Sequence, residues 1–164
     1  MSAKVGLLMG SNSDLPKIQG CIDTLKNLGI ECEVRVMSAH RTPDLVAEYA
    51  ANAASRGIKV LIAAAGGAAH LAGAVAARTL LPVIGIPVEG GALNGLDALL
   101  ATVQMPGGIP VATVGIGSGG ATNAGLLAAQ IIATGDEEVL AKLQADREKR
   151  RQKVLAADEE LQGK

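Results

Sequence analysis

Residues 10–14, GSNSD, combine a glycine turn with two serine hydroxyls and an acidic side chain, just before a predicted helix. Backbone N–H groups in a tight turn at a helix start attract anions such as phosphate, so Ser11 and Ser13 are candidate phosphate ligands. Asp14 is a candidate for binding ribose hydroxyls, and capping of the helix is the alternative that the spacing leaves open. The segment matches neither the GxGxxG dinucleotide fingerprint nor the Walker loop.

Residues 38–44, SAHRTPD, place a histidine beside an arginine where a buried strand is predicted to end. His40 can exchange a proton near neutral pH, which makes it the candidate catalytic residue. Arg41 offers a planar fork for phosphate or carboxylate. Ser38 and Ala39 begin the same loop and are also candidates for substrate binding. A surface His–Arg pair without a catalytic role is the alternative.

A third segment, residues 65–71 with the sequence AGGAAHL, begins with five small residues. Such residues let a ligand approach the backbone closely. The alternative is a close-packed turn in which the histidine merely starts a helix. The candidate substrate-binding residues here are Gly66, Gly67, Ala68, His70 and Leu71.

Apolar runs and helical stripes alternate along the chain and predict which elements carry these segments. The predicted strands are residues 5–9, 31–36, 60–64, 82–86 and 111–116, and the predicted helices are residues 15–28, 43 onward, 70–80, 93–103 and 121–133. Strands and helices that alternate with short loops indicate a parallel sheet with helices on both faces. We therefore predict a three-layer, doubly wound α/β fold with the flavodoxin-like order 2-1-3-4-5.

In such a sheet, ligands bind outside the carboxyl ends of the strands, near the point where the strand order reverses. That point lies between the first and third strands, and the three loops described above surround it. Residues 1–134 form the predicted core of a single domain. Residues 135–164 form a predicted C-terminal helical tail with few apolar residues, and we expect this tail to pack on a neighbouring subunit.

The composition argues against several classes of function. A net charge of -1 argues against a nucleic-acid partner, and a single Tyr with no Trp or Phe leaves almost nothing for base stacking. Cys21 and Cys32 belong to no metal-binding or redox spacing, so we interpret both as free core thiols. No signal peptide or membrane span is apparent, which predicts a cytoplasmic protein without membrane contact.

Five blocks of sequence resemble one enzyme family. They are MGSNSD (9–14), SAHRTPD (38–44), AAAGGAAHLAG (63–73), LPVIGIPV (81–88) and VQMPGGIPVATVGIG (103–117). Together they are similar to the class I branch of the PurE family, the N5-carboxyaminoimidazole ribonucleotide mutases. The resemblance implies conversion of that ribonucleotide to 4-carboxy-5-aminoimidazole ribonucleotide in purine biosynthesis, with no metal or other cofactor. It also implies a homo-octamer.

The resemblance assigns roles to individual residues. It implies that Ser11 and Asp14 hold the phosphoribosyl group, that His40 transfers protons and that Arg41 anchors the substrate. Residues 66–71 would lie along the base and its carboxylate. Two alternatives stay open: a carboxylase that uses free carbon dioxide, and a flavodoxin-like nucleotide-binding module. A response-regulator receiver is disfavoured because acidic residues do not cluster at the strand ends.

Overall fold

The computed structural model describes residues 4–163, and its central feature is a five-stranded parallel sheet. The strands are β1 (Val5–Met9), β2 (Cys32–Val36), β3 (Val60–Gly66), β4 (Val83–Val88) and β5 (Ala112–Thr113). They are arranged in the order β2-β1-β3-β4-β5, which confirms the flavodoxin-like prediction. The strand order therefore reverses between β1 and β3.

Within residues 4–163, six α-helices accompany the sheet. They are α1 (Leu15–Asn27), α2 (Pro43–Asn52), α3 (Leu71–Ala76), α4 (Leu96–Val103), α5 (Ser118–Ala133) and α6 (Glu137–Leu161). The helices α1 and α5 pack on one face and α2 and α3 on the other, and these contacts define two hydrophobic clusters. The side chains of β1 alternate between the clusters, with Leu7 in the first and Leu8 in the second. All five residues of β1 are buried, as expected for a central parallel strand.

A glycine ends α1 and lets the chain turn back toward the sheet. Gly29 has a φ of 71°, a left-handed conformation that glycine adopts without a steric penalty. The Gly29 N–H donates to the carbonyl of Lys26, and the Ile30 N–H donates to the carbonyl of Leu25. This pair of bonds is the Schellman motif, and it confirms Gly29 as the predicted helix-ending glycine.

Two helix boundaries differ from the prediction for reasons visible in the backbone. The predicted helix 70–80 is only Leu71–Ala76, and the Arg78 N–H donates to the Val75 carbonyl in a tighter turn directly after it. The predicted helix 93–103 begins only at Leu96. Asn94 and Gly95 both have positive φ, which is incompatible with a right-handed helix.

The fifth strand and the fifth helix also differ from the prediction. Ala112 and Thr113 pair with β4 and the Val114 N–H donates to the Gly85 carbonyl, so the strand is shorter than the predicted residues 111–116. The helix α5 begins at Ser118, three residues before the predicted start at Ala121.

The tail is helical, as predicted, but its first turns belong to their own domain. Val139 is only 5% exposed and joins the core cluster beside α1 and α5, and Leu143 packs against the same cluster. The expectation that the tail has too few apolar residues to pack on its own domain is therefore wrong for its first turns, which carry Val139 and Leu143. The distal residues Val154 and Leu161 are 69% and 86% exposed. Among the described residues, no helix combines the length and apolarity that a bilayer span requires.

Candidate functional site

The loop after β1 folds into a short 3-10 turn over residues 12–14, just before α1. The Ser11 hydroxyl accepts a hydrogen bond from the Ser13 N–H and lies 2.8 Å from the Ser13 hydroxyl, so the two side chains fix each other. Asp14 occupies the cap position of α1, yet its side chain makes no capping hydrogen bond. The capping alternative therefore has no side-chain hydrogen bond behind it, and the binding of ribose hydroxyls by Asp14 stays a prediction.

The carboxyl group of Asp14 is partly buried, and this burial changes its pKa. Burial raises the pKa of Asp14 above its ordinary value of 3.8, and the positive charge of Lys17 partly opposes this rise. The ionised carboxylate therefore carries a desolvation cost. A ligand that donates hydrogen bonds to it, such as a pair of ribose hydroxyls, would offset that cost.

The loop after β2 is held by Thr42 and Ser38. The Thr42 hydroxyl accepts from the Ser38 N–H at 2.9 Å and donates to the Ser38 carbonyl at 3.1 Å. Ser38 in turn accepts from the backbone N–H and the Nε of Arg41. The other end of the Arg41 guanidinium donates to the Gly10 carbonyl at 3.0 Å, which ties this loop to the loop after β1. Ser38 is thus a residue that orients Arg41.

The loop after β3 is shaped by two glycines. Gly66 lies against β4, where an added Cβ would approach the Val88 carbonyl oxygen to 3.2 Å. Gly67 has a φ of 59°, so a larger residue would be strained there. Hydrogen bonds from the Ala69 N–H to the Gly67 carbonyl and from the His70 N–H to the Ala68 carbonyl tighten the turn. This turn aims the His70 ring at the loop after β2.

The two histidines meet in the space between these loops. Nε2 of His40 lies 2.8 Å from Nδ1 of His70, and the rings are nearly perpendicular with centroids 4.9 Å apart. Both residues are exposed in the single chain. The only histidines of the sequence are therefore paired at the reversal of strand order.

A cavity of about 280 Å³ lies between the three loops and opens to solvent. All the predicted site residues line it except Ser13 and Gly67, and Gly10 and Ala65 are added to the predicted set. Ser13 instead supports Ser11, and Gly67 supplies the turn. The lining residues are Gly10, Ser11, Asp14, Ser38, Ala39, His40, Arg41, Ala65, Gly66, Ala68, His70 and Leu71.

The arrangement suits an anionic nucleotide and proton transfer. Arg41 and the amides near Ser11 provide positive potential, Asp14 provides acceptors for hydroxyls, and His40 provides an imidazole at the cavity wall. Within residues 4–163, no group of three or more His, Cys, Asp or Glu side chains is placed to hold a metal ion. Cys21 is buried in the core and Cys32 is half-buried against it, and burial raises the pKa of each thiol to about 12.

Comparison with known proteins shows the same pattern over nearly the whole chain. The family model described as AIR carboxylase matches residues 4–153. The chain belongs to this AIR carboxylase family. The family relationship inferred from the five sequence blocks is thereby confirmed.

Relatives named as mutases and a solved PurE structure are similar to the chain over most of their length. The N5-carboxyaminoimidazole ribonucleotide mutase of Bacillus subtilis is 55% identical over 98% of this chain and 99% of its own. The mutase of the same name from Thermotoga maritima is 51% identical, over 97% of this chain and 92% of its own. The crystal structure of Treponema denticola PurE is 31% identical, with a TM-score of 0.87 over 96% of this chain and 97% of the other.

Proposed function

We propose that this chain converts N5-carboxyaminoimidazole ribonucleotide to 4-carboxy-5-aminoimidazole ribonucleotide in purine biosynthesis. The observation that carries the proposal is the cavity at the reversal of strand order, where His40 lies beside an anion-binding loop and Arg41. Relatives at 51% to 57% identity are named N5-carboxyaminoimidazole ribonucleotide mutase, which supports this reaction. The Treponema denticola PurE structures are more distant, at 30% and 31% identity.

Binding begins with the parts of the substrate that do not react. The turn at Ser11 and the guanidinium of Arg41 bind the phosphate, and the carboxylate of Asp14 accepts hydrogen bonds from ribose hydroxyls. The imidazole base then lies along residues 66–71, where small residues permit close backbone contact. Binding energy from the phosphate and ribose holds the reacting base in position.

Chemistry then proceeds by decarboxylation and recarboxylation. The bond between the exocyclic nitrogen and the carbamate carbon breaks, carbon dioxide leaves, and a proton from His40 goes to the nitrogen. Ring carbon 4 next attacks the same carbon dioxide, and His40 takes the proton that carbon 4 loses. The proton given in the first step is recovered in the second, so the reaction needs no cofactor. Holding carbon dioxide next to carbon 4 replaces a bimolecular encounter with an intramolecular one.

The proposed mechanism needs a closed site, while the single chain leaves this cavity open. His40, Arg41 and His70 are all exposed in the isolated chain. The bound nucleotide covers part of the opening, and a neighbouring copy of the chain is the natural cover for the rest. We therefore include a homo-oligomer, an octamer by family resemblance, in the proposal, and we place the enzyme in the cytoplasm.

Two exposed apolar surfaces support self-association. The helix α4 and the turn before it carry Leu93, Leu96, Leu100 and Val103, which are 58%, 51%, 48% and 48% exposed. The distal part of α6 carries Val154, Leu155 and Leu161, which are 69%, 40% and 86% exposed. Exposed apolar residues grouped on one element mark interaction surfaces. The distal part of α6 is the segment that we expect to pack on the neighbour.

The function is tested by incubating the purified protein with the synthetic carbamate nucleotide, without ATP or added bicarbonate. Formation of the 4-carboxy product, measured against the uncatalysed rate, supports the proposal. A product that forms only when aminoimidazole ribonucleotide and bicarbonate are supplied would indicate the carboxylase instead. Nucleotide binding without any turnover would indicate the binding module.

A further inference from the structure

Thr42 closes the loop after β2 by bonding back to the residue that begins it. The Thr42 N–H donates to the Ser38 carbonyl at 2.9 Å, and the Thr42 hydroxyl accepts from the Ser38 N–H at 2.9 Å and donates to the Ser38 carbonyl at 3.1 Å. Ser38 directly follows Met37, whose N–H donates to the Met9 carbonyl and continues the pairing of β2 with β1. Three hydrogen bonds therefore join the two ends of the loop, and two of them use the hydroxyl.

The hydroxyl of Thr42 makes these bonds instead of capping α2. Thr42 occupies the N-cap position of that helix, where a threonine side chain usually accepts a hydrogen bond from an N–H of the first turn. Here the side chain makes no capping bond. The next residue, Pro43, has no N–H, so the start of the helix has one fewer amide that needs a partner. A residue suited to capping the helix thus serves the loop.

His40 lies in the middle of this closed loop. Its side chain is exposed and belongs to neither hydrophobic cluster, so core packing does not fix its position. The place of its Cα depends on the backbone between residues 38 and 42, and from there the imidazole reaches the cavity wall. Arg41 has a tether of its own, because its guanidinium donates to the Gly10 carbonyl at 3.0 Å. Loosening the loop therefore affects His40 more directly than Arg41.

We propose that Thr42 is a positioning residue, whose hydroxyl fixes the loop after β2 so that the His40 imidazole meets the substrate in a reactive arrangement. The catalytic meaning of this inference rests on the proposed function. Loss of the hydroxyl leaves one of the three bonds between the loop ends, and it deprives the Ser38 N–H of its partner. A displacement of about 1 Å in a near-attack geometry costs up to about 100-fold in rate, so this small change is felt in turnover.

Kinetics of paired variants separate the hydroxyl from the rest of the side chain. Thr42→Val removes the hydroxyl and keeps a branched side chain. Its kcat should fall at least about tenfold with KM changed about twofold or less, because the Arg41 anchor keeps its bond to Gly10. Thr42→Ser restores the hydroxyl, and its kcat should lie within about threefold of the wild type. Thr134→Val is the matched control and should leave kcat unchanged, since the Thr134 hydroxyl also donates to a backbone carbonyl but lies outside the cavity.

Amide hydrogen exchange in the free protein tests the loop without any turnover. The Ser38 N–H should exchange at least about tenfold faster in Thr42→Val than in the wild type, and Thr42→Ser should restore the slow exchange. The Val139 N–H, which donates to Asp136 at the start of α6, should exchange equally in all variants and shows that the fold is intact.

Two kinetic results would overturn the positioning role of Thr42. One is a kcat for Thr42→Val within about threefold of the wild type, and the other is a Thr42→Ser enzyme as slow as Thr42→Val. Unchanged exchange of the Ser38 N–H in Thr42→Val would overturn the proposal as well, whether or not the wild type turns over the carbamate nucleotide. Failure of this inference is therefore distinguishable from failure of the proposed function.

Discussion

Arg41 joins two loops through one guanidinium, because it donates to the Gly10 carbonyl while its Nε donates to the Ser38 hydroxyl. The arginine is therefore a substrate anchor and also a brace that sets the distance between the loops after β1 and β2. A lysine keeps the charge but cannot make both bonds at once.

We predict that Arg41→Lys raises KM for the nucleotide substrate strongly even though the positive charge remains. Hydrogen bonds to charged groups contribute about 1.5–3 kcal/mol each, which corresponds to roughly 10- to 100-fold in KM. Steady-state kinetics provide the measurement. Arg35→Lys, on β2 away from the cavity, is the matched control and should leave KM unchanged. A KM for Arg41→Lys equal to that of the wild type would show that the anchor lies elsewhere.

His40 is predicted to be needed for turnover and dispensable for folding. Its ring is exposed and belongs to neither hydrophobic cluster, so His40→Asn should keep the wild-type circular dichroism and bind the nucleotide. Loss of a general acid–base residue costs about 10²- to 10⁴-fold in rate. Turnover of His40→Asn within about tenfold of the wild type, a difference of about 1.4 kcal/mol in the barrier, would remove His40 from the mechanism.

We predict that the Asp14 carboxylate lowers the folding stability of the chain and strengthens substrate binding. Because burial raises its pKa, the native chain holds more protons than the unfolded chain between the unfolded and folded pKa values, and stability falls as pH rises through that window. At pH 7 this destabilisation is fully present, and Asp14→Asn removes it. The variant should therefore melt at a higher temperature than the wild type at pH 7, and this gain should vanish below about pH 3.8, the ordinary value.

The same Asp14→Asn variant should bind the substrate less tightly, since an amide offers one acceptor where the carboxylate offered two. Calorimetric melting and steady-state kinetics on one preparation test both effects. Asp23→Asn is the control, because Asp23 lies on the exposed side of the same helix and its side chain accepts a hydrogen bond from Gln19. A lower melting temperature combined with an unchanged KM would mean that Asp14 serves the helix and not the ligand.

The general position of the site could be predicted from sequence because it depends on the strand order. Alternation of strands and helices predicts the parallel sheet, and the reversal of order places the segments at Gly10, His40 and Gly66 together. Individual contacts could not be predicted in this way. The His40–His70 hydrogen bond depends on the side-chain conformations of two loops that are far apart in the chain.

Element ends were harder to predict than element types, and for local reasons. The start of α4 depends on positive φ values at Asn94 and Gly95, which the apolar pattern does not reveal. The length of β5 depends on how far an edge strand pairs with β4, which is a tertiary property. The packing of Val139 on its own domain was missed because a short apolar group in a polar helix resembles an exposed one.

The distal part of α6 should be needed for assembly. Deleting residues 154–164 removes the exposed Val154, Leu155 and Leu161 and leaves the contacts of Val139 in place. We expect full-length protein to have several times the mass of the 16.5 kDa chain and the truncated protein to be smaller. Light scattering at micromolar concentration gives both masses, with Glu148→Gln on the same helix as a control. A monomeric full-length chain would contradict the proposed oligomer.

The central claim is that one carbon dioxide molecule leaves the nitrogen and returns to carbon 4 inside this cavity. The most direct measurement follows carbon-13 from labelled carbamate into the product in a large excess of unlabelled bicarbonate. We predict that most of the label appears in the product carboxylate, since attack by carbon 4 precedes escape of the carbon dioxide. Product that is largely unlabelled would mean that carbon dioxide comes from solution, and the mutase assignment would then be wrong.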